Sequence, residues 1–135
     1  AVQTIVNQIT LLTQPPTNAR YFLVLDDYDR GSESAAGDAF KQKYFSSLFT
    51  LSKKISGFKV AFVVFKTIWS GVLTLTPAFK AFRYTSSRAC VVNSSSTVEK
   101  CGDPDHTFYW IPGHPSKEAH RIMADYMEEV LTQSH

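Results

Sequence analysis

The chain is short of the features that staple, anchor or label many small proteins. Only two of its 135 residues are cysteine, and two thiolates cannot complete a tetrahedral metal centre alone. Cys90 and Cys101 lie close enough in sequence to close one loop in an oxidising compartment, and would remain thiols in a reducing one. No apolar run reaches the roughly 18 residues that a bilayer span requires, and no basic-then-apolar leader opens the sequence. No membrane association is therefore expected; a cytoplasmic location is, with secretion or a vacuole as the alternative. Charge of one sign is scarce too: fourteen basic and twelve acidic residues leave +2 and a pI near 8.6. That bias permits a polyanionic partner without requiring one. Gly-x-Ser-x-Gly, a Walker loop and a dinucleotide fingerprint are all missing, so a serine elbow and the common nucleotide sites find no support.

What is present suffices for one α/β domain over residues 1–135, since 44% of the residues are hydrophobic and 13% aromatic. Val2, Ile5, Val6, Ile9 and Leu12 recur at helical spacing until "TQPPT" stops them. "YFLVLDD" (21–27) and "KVAFVVFK" (59–66) are continuous apolar runs of the kind expected of strands buried on both faces. Between them Phe40, Tyr44, Leu48, Leu51 and Ile55 mark a helix closed by Gly57. Together they predict a parallel βαβ unit with a right-handed crossover. A short helix is expected over 67–75 and a long functional loop over 86–106. Pro115 is expected to open a last helix that buries Ala119, Ile122, Met123, Tyr126 and Val130. The fold class is α/β, a small parallel sheet with flanking helices in three layers.

Ligands of parallel α/β sheets gather at the carboxyl ends of strands. That rule singles out Asp26, Asp27, Asp29 and Arg30 after the first strand, Lys66 after the second, and His114 before the last helix. Clustered carboxylates signal a cation, a basic partner or simple solvation. Asp26 is the strongest candidate because the strand holds it most rigidly. In "GDPDH", Asp103 and Asp105 serve equally well as turn caps, while His106 has the chemistry of a metal ligand or general acid. His120 and His135 read as bystanders. Tyr21, Tyr28, Tyr84 and Tyr109 offer aromatic faces for unstacked bases, Tyr28 most readily, whereas Tyr109 and Trp110 are expected in the core.

The order Cys90, Cys101, "DPDHTFYW", "HPS" and a helix resembles the C-terminal half of the GDSL-type (SGNH) esterases, and "YFLVLDDYDRG" is similar to their fourth strand and its loop. The resemblance implies a truncated SGNH-like architecture. It carries His114 over as the catalytic histidine, but Ile111 stands where that family has aspartate, and the blocks that bear its serine, glycine and asparagine are not in this sequence. A complete serine-esterase mechanism within this chain is thereby excluded. The whole sequence also resembles the ageritin-like ribotoxins of basidiomycete mushrooms, in an α/β pattern unlike the small disulfide-rich β-sheet ribotoxins of ascomycetes.

That second resemblance implies a divalent-metal-dependent endoribonuclease that cuts one bond in the sarcin-ricin loop of large-subunit ribosomal RNA. It implies a monomeric fungal defence toxin that inhibits translation. For that chemistry Asp26 with Asp27 or Asp29, completed by His114 or by Asp105 and His106, makes a mixed oxygen and nitrogen set suited to Zn²⁺ or Mg²⁺. His114 and Asp26 are the expected proton-transfer and metal groups, with Arg30 and Lys66 stabilising the phosphorane. Tyr28, Lys117 and Arg88 are expected to hold RNA. Two other readings use the same residues: a degenerate esterase-like domain that only binds, and a metal-dependent hydrolase of small phosphoesters.

Overall fold

Apolar residues one helical turn apart bury one side of α1 (Val2–Leu12), where Val2, Val6 and Ile9 face inward and Ile5 and Leu12 stay exposed. The computed structural model describes residues 1–26, 33–74 and 78–133. Thr13 ends α1 by hydrogen bonding back to the Thr10 carbonyl, and Arg20 ties down the turn by donating to the Thr13 and Ala19 carbonyls. The chain then enters β1 (Tyr21–Asp26), passes through α2 (Ala35–Lys54) and returns as β2 (Lys59–Val64), parallel to β1 from Tyr21 opposite Lys59 to Asp26 opposite Val64. This is the βαβ unit that the two apolar runs predict. Ser34 caps α2 by accepting from the Gly37 N–H. Gly57, at φ +74°, makes the left-handed turn into β2 that a side chain would resist.

The second half is built around aromatics. After α3 (Lys66–Leu73) and a 3-10 helix at Ala78–Phe82, β3 (Ser86–Ala89) runs parallel to β4 (Thr107–Ile111). A tight turn at Gly113 (φ +76°) then folds β5 (His114–Pro115) antiparallel onto β4. The α/β class is as expected, with the strands divided into a parallel pair and a mixed three-stranded sheet. Phe108 packs edge to face with both Trp69 and Tyr84, and the Trp69 indole N–H donates to the Tyr109 hydroxyl at 3.0 Å, so the buried indole keeps its hydrogen bond. The final helix, α4 (Lys117–Gln133), lays Ala119, Ile122, Met123, Tyr126 and Val130 on this core, as its periodicity predicts. It touches both β2 and β4.

Several expectations need correction. Pro115 does not open the last helix; it pairs with Tyr109 in β5, and Ser116 is the cap, its hydroxyl accepting from the Ala119 N–H at 3.2 Å. The stretch 86–106 is not one loop, because β3 occupies its start, a 3-10 helix at Pro104–His106 its end, and a Cys90–Cys101 disulfide closes the turn between. The short helix begins at Lys66 and ends at Leu73. Trp110, expected in the core, is 36% exposed, although strand alternation puts it on the same face as the fully buried Phe108; the cover over that face ends before Trp110.

Candidate functional site

The carboxyl ends of β1 and β2 carry a polar cluster, as the strand-end rule expects. Asp26 closes β1, and its Oδ2 lies 2.8 Å from Lys41 Nζ on α2; both side chains are largely covered. Lys66, the first residue of α3, forms an ion pair with Glu33. Two of the expected residues, Asp26 and Lys66, thus sit on neighbouring strand ends, each engaged by a partner that sequence reasoning did not find. Glu33 and Lys41 lie within the crossover between β1 and β2, and no local pattern links them to Lys66 or Asp26. Asp27, Tyr28, Asp29 and Arg30 lie outside the described residues. Among the described residues no three His, Cys, Asp or Glu side chains gather as a metal site.

His114 is placed by the β4–β5 hairpin, opposite Ile111 and exposed. Its imidazole makes no hydrogen bond among the described residues. Asp105 and His106 lie before the first residue of β4, whereas His114 pairs with its last. The five residues between put the two histidines about 16 Å apart along the strand, so they are alternatives and cannot share one ion. Lys117 is exposed at the first turn of α4, and Arg88 is exposed on β3 with its N–H donating to the Ser86 hydroxyl. Of the aromatic faces, Tyr84 is only 4% exposed and cannot stack on a base, while Tyr21 is open to solvent.

A second cluster surrounds His106. Its Nδ1 lies 2.9 and 2.8 Å from the two carboxylate oxygens of Asp103. That hydrogen bond first, and the Asp103 charge second, hold its pKa above the ordinary histidine value. Across a cavity of about 300 Å³ stand Arg83, Tyr84, Glu118 and Arg121. Arg121 donates to Glu118 and Asp125 at 2.7 Å each, and its hydrogen bond holds the Glu118 carboxyl below the usual range. Burial pushes the Tyr84 phenol up to about 12, with the Glu118 charge adding to the effect. It is a neutral hydroxyl at any physiological pH.

A groove of about 700 Å³ follows β1 between α1 and α2. Phe22, Leu23, Val24 and Leu25 all line it. Consecutive strand residues point to opposite faces, so a groove that touches four in a row must lie along the strand's edge. Among the described residues β1 pairs only with β2. Its outward-facing Tyr21, Leu23 and Leu25 are 72%, 41% and 50% exposed, while Val63, opposite Leu25 on β2, is fully buried. Compared with models of known protein families and with curated proteins, the chain gives no match.

Proposed function

We propose that this chain is the histidine-bearing part of an esterase-like α/β scaffold. It has no catalysis of its own and works by accepting a further βα segment on the free edge of β1. The observation that carries this reading is the exposed apolar strand. Parallel sheets are normally covered on both faces. An edge of β1 that is unpaired among the described residues and flanked by exposed Leu23 and Leu25 supports its use as an interior strand. It fits the resemblance of "YFLVLDDYDRG" to the fourth strand of the SGNH esterases. The added segment would supply the nucleophilic hydroxyl and the oxyanion donors. His114 would take the hydroxyl proton through one ring nitrogen and return it to the leaving alcohol. With Ile111 in the place of aspartate, the other ring nitrogen must donate to a carbonyl or to a carboxylate from elsewhere, which orients the ring but stabilises its cation less.

The test is complementation. Alone, the chain should hydrolyse p-nitrophenyl acetate no faster than free imidazole. Co-refolded with the N-terminal half of an SGNH esterase, it should give hydrolysis that a fluorophosphonate blocks and that His114→Ala removes. A Leu23→Lys, Leu25→Lys variant should remain folded but fail to complement. Complementation that survives His114→Ala would contradict the role given to that histidine.

The polar cluster at the strand ends favours a second reading, the divalent-metal-dependent endoribonuclease acting on large-subunit ribosomal RNA. What supports it is that Asp26 and Lys66 lie at neighbouring strand ends. Asp26 with Asp27 or Asp29 and His114 would hold Zn²⁺ or Mg²⁺, which would supply Lewis acidity at phosphate. Intact ribosomes incubated with the chain separate the two readings. One discrete RNA fragment that disappears with a chelator would establish the ribonuclease and displace the esterase-like reading.

A further inference from the structure

The turn closed by the Cys90–Cys101 disulfide carries a motif that neither reading uses. It is Asn93-Ser94-Ser95, the one place in the sequence where an asparagine is followed two residues later by serine or threonine with no proline between. We infer that Asn93 is a site of N-linked glycosylation, its side-chain amide nitrogen receiving an oligosaccharide from a polyisoprenyl-diphosphate carrier during export through an oxidising compartment.

The geometry of the turn suits the transfer. Asn93 and Ser96 pair as an antiparallel bridge, which puts Ser94 and Ser95 at the tip, and Asn93, Ser94 and Ser95 are all exposed. Asn93 Oδ1 accepts from the Ser95 N–H at 2.9 Å, which holds the side chain in place through its oxygen. Neither Asn93 Nδ2 nor the Ser95 hydroxyl, the two groups the motif requires, makes a hydrogen bond among the described residues. The reaction forms a bond from Nδ2 to the anomeric carbon of the first sugar and breaks the bond from that carbon to the carrier diphosphate. The diphosphate leaves with the electron pair, and Nδ2 gives up one of its two protons. Oδ1 is untouched, so the modification consumes no hydrogen bond that the fold uses.

The disulfide is an independent pointer to the same compartment. Cys90 and Cys101 are bridged at the base of this turn, and such bridges persist where the surroundings are oxidising, which is also where sugar is transferred to asparagine. The base is further tied down by the Cys101 N–H, which donates to the Cys90 carbonyl at 2.8 Å, and by the Cys90 N–H, which donates to the Tyr109 carbonyl of β4 at 3.0 Å. A sequon at an open tip above a covalently closed base joins both signs of export in one element. Export is the alternative to the cytoplasmic location expected from the sequence.

The neighbouring side chains give the glycan something to do. Val92 and Val98 bracket the sequon and are 70% and 75% exposed. A bulky, hydrated chain on Asn93 would keep this apolar pair from contact with other molecules, which an unmodified turn leaves open.

The experiment is expression of the whole chain in yeast behind a cleavable signal peptide, with mass spectrometry of the tryptic peptide 89–100, which follows Arg88 and ends at Lys100. Signal-cleaved chain is taken from the medium and from the cells, because sugar is added before export and retained chain reports equally well. The peptide should carry N-acetylhexosamine and hexose, and a glycoamidase should release them and leave aspartate at position 93. Asn93→Gln and Ser95→Ala should each abolish the modification, and Ser95→Thr should keep it. Being exposed, all three variants should melt within about 1 °C of the unmodified parent. An unmodified peptide in signal-cleaved chain overturns the inference, since the compartment was reached and the sequon passed over. So does sugar that persists in Asn93→Gln or resists the glycoamidase, which would then be linked to a serine or threonine oxygen. None of these results bears on complementation at β1 or on His114.

Discussion

Lys41 reaches from α2 back to the last residue of β1, its Nζ 2.8 Å from Asp26 Oδ2, so the carboxylate that the sequence marks as most functional is neutralised within the βαβ unit itself. The pair closes one end of the groove along β1. It also sets what substitutions at Asp26 should do.

Lys41→Met keeps the aliphatic stem and removes the charge opposite a carboxylate that is only 10% exposed. It should destabilise the protein by about 1–3 kcal/mol at neutral pH. Asp26→Asn should also lower the melting temperature, whereas a carboxylate that served only as a metal ligand would leave the metal-free protein unchanged. A double-mutant cycle measures the coupling, and strictly additive losses would show that the pair contributes nothing.

The Cys90–Cys101 disulfide closes a loop with a sequence separation of 11. Replacing both cysteines by serine should cost about 2–3 kcal/mol in the loop-entropy model. Denaturant unfolding of the oxidised and doubly substituted proteins gives the difference directly. Alkylation of the unreduced, unfolded protein should modify no thiol.

His106 gives a pH dependence of known sign. Its folded pKa is raised above the ordinary value of about 6.5, chiefly by the hydrogen bond to Asp103. The folded state therefore binds its proton more tightly than the unfolded chain does. The stabilisation is complete below the unfolded pKa and is lost as pH rises through the folded one. An imidazole titration followed by NMR should give a midpoint above 6.5, and His106→Gln should remove this component of the pH profile. A midpoint at or below 6.5 would mean that the Asp103 contact does not persist in solution.

Ser116 and His114 separate capping from chemistry. Ser116, only 1% exposed, caps α4, so Ser116→Ala should cost about 1–2 kcal/mol. His114→Ala removes an exposed ring that caps nothing among the described residues. It should leave the melting temperature within about 1 °C of the parent, a change of only a few tenths of a kcal/mol. A large thermal loss in His114→Ala would assign that residue a structural role instead.

The parts of the fold that the sequence reveals are those governed by periodicity. Tyr21–Asp26 and Lys59–Val64 are continuous apolar runs, and the buried stripe of α4 repeats at helical spacing. β3 escaped notice because "SSRA" has no apolar alternation; it is held by backbone pairing to β4 and by the adjacent disulfide. β5 is two residues long, too short for any period, and its proline imitates a helix start one residue before the true cap. Ser116 was available as a signal, since serine before a helical run is a strong cap and proline in a preceding strand edge is tolerated.

For the sites the division is similar. The strand-end rule located Asp26 and Lys66, but Lys41 and Glu33 reach them only through tertiary packing. Tyr84 was legible as an aromatic face, and only the packing of Phe108 and Trp69 around its ring shows that this face is covered.

The contact of α4 with both β2 and β4 also orders events during synthesis. Val63 and Phe108, each fully buried, have part of their cover in a helix made after every other element they touch. On the ribosome, the βαβ unit can form while the aromatic half still lacks its lid, and that apolar surface stays open until residues 117–133 emerge. The interval is when mispairing or aggregation competes most strongly. Slowing translation within α4 should therefore lower the yield of soluble protein more than the same delay within α2.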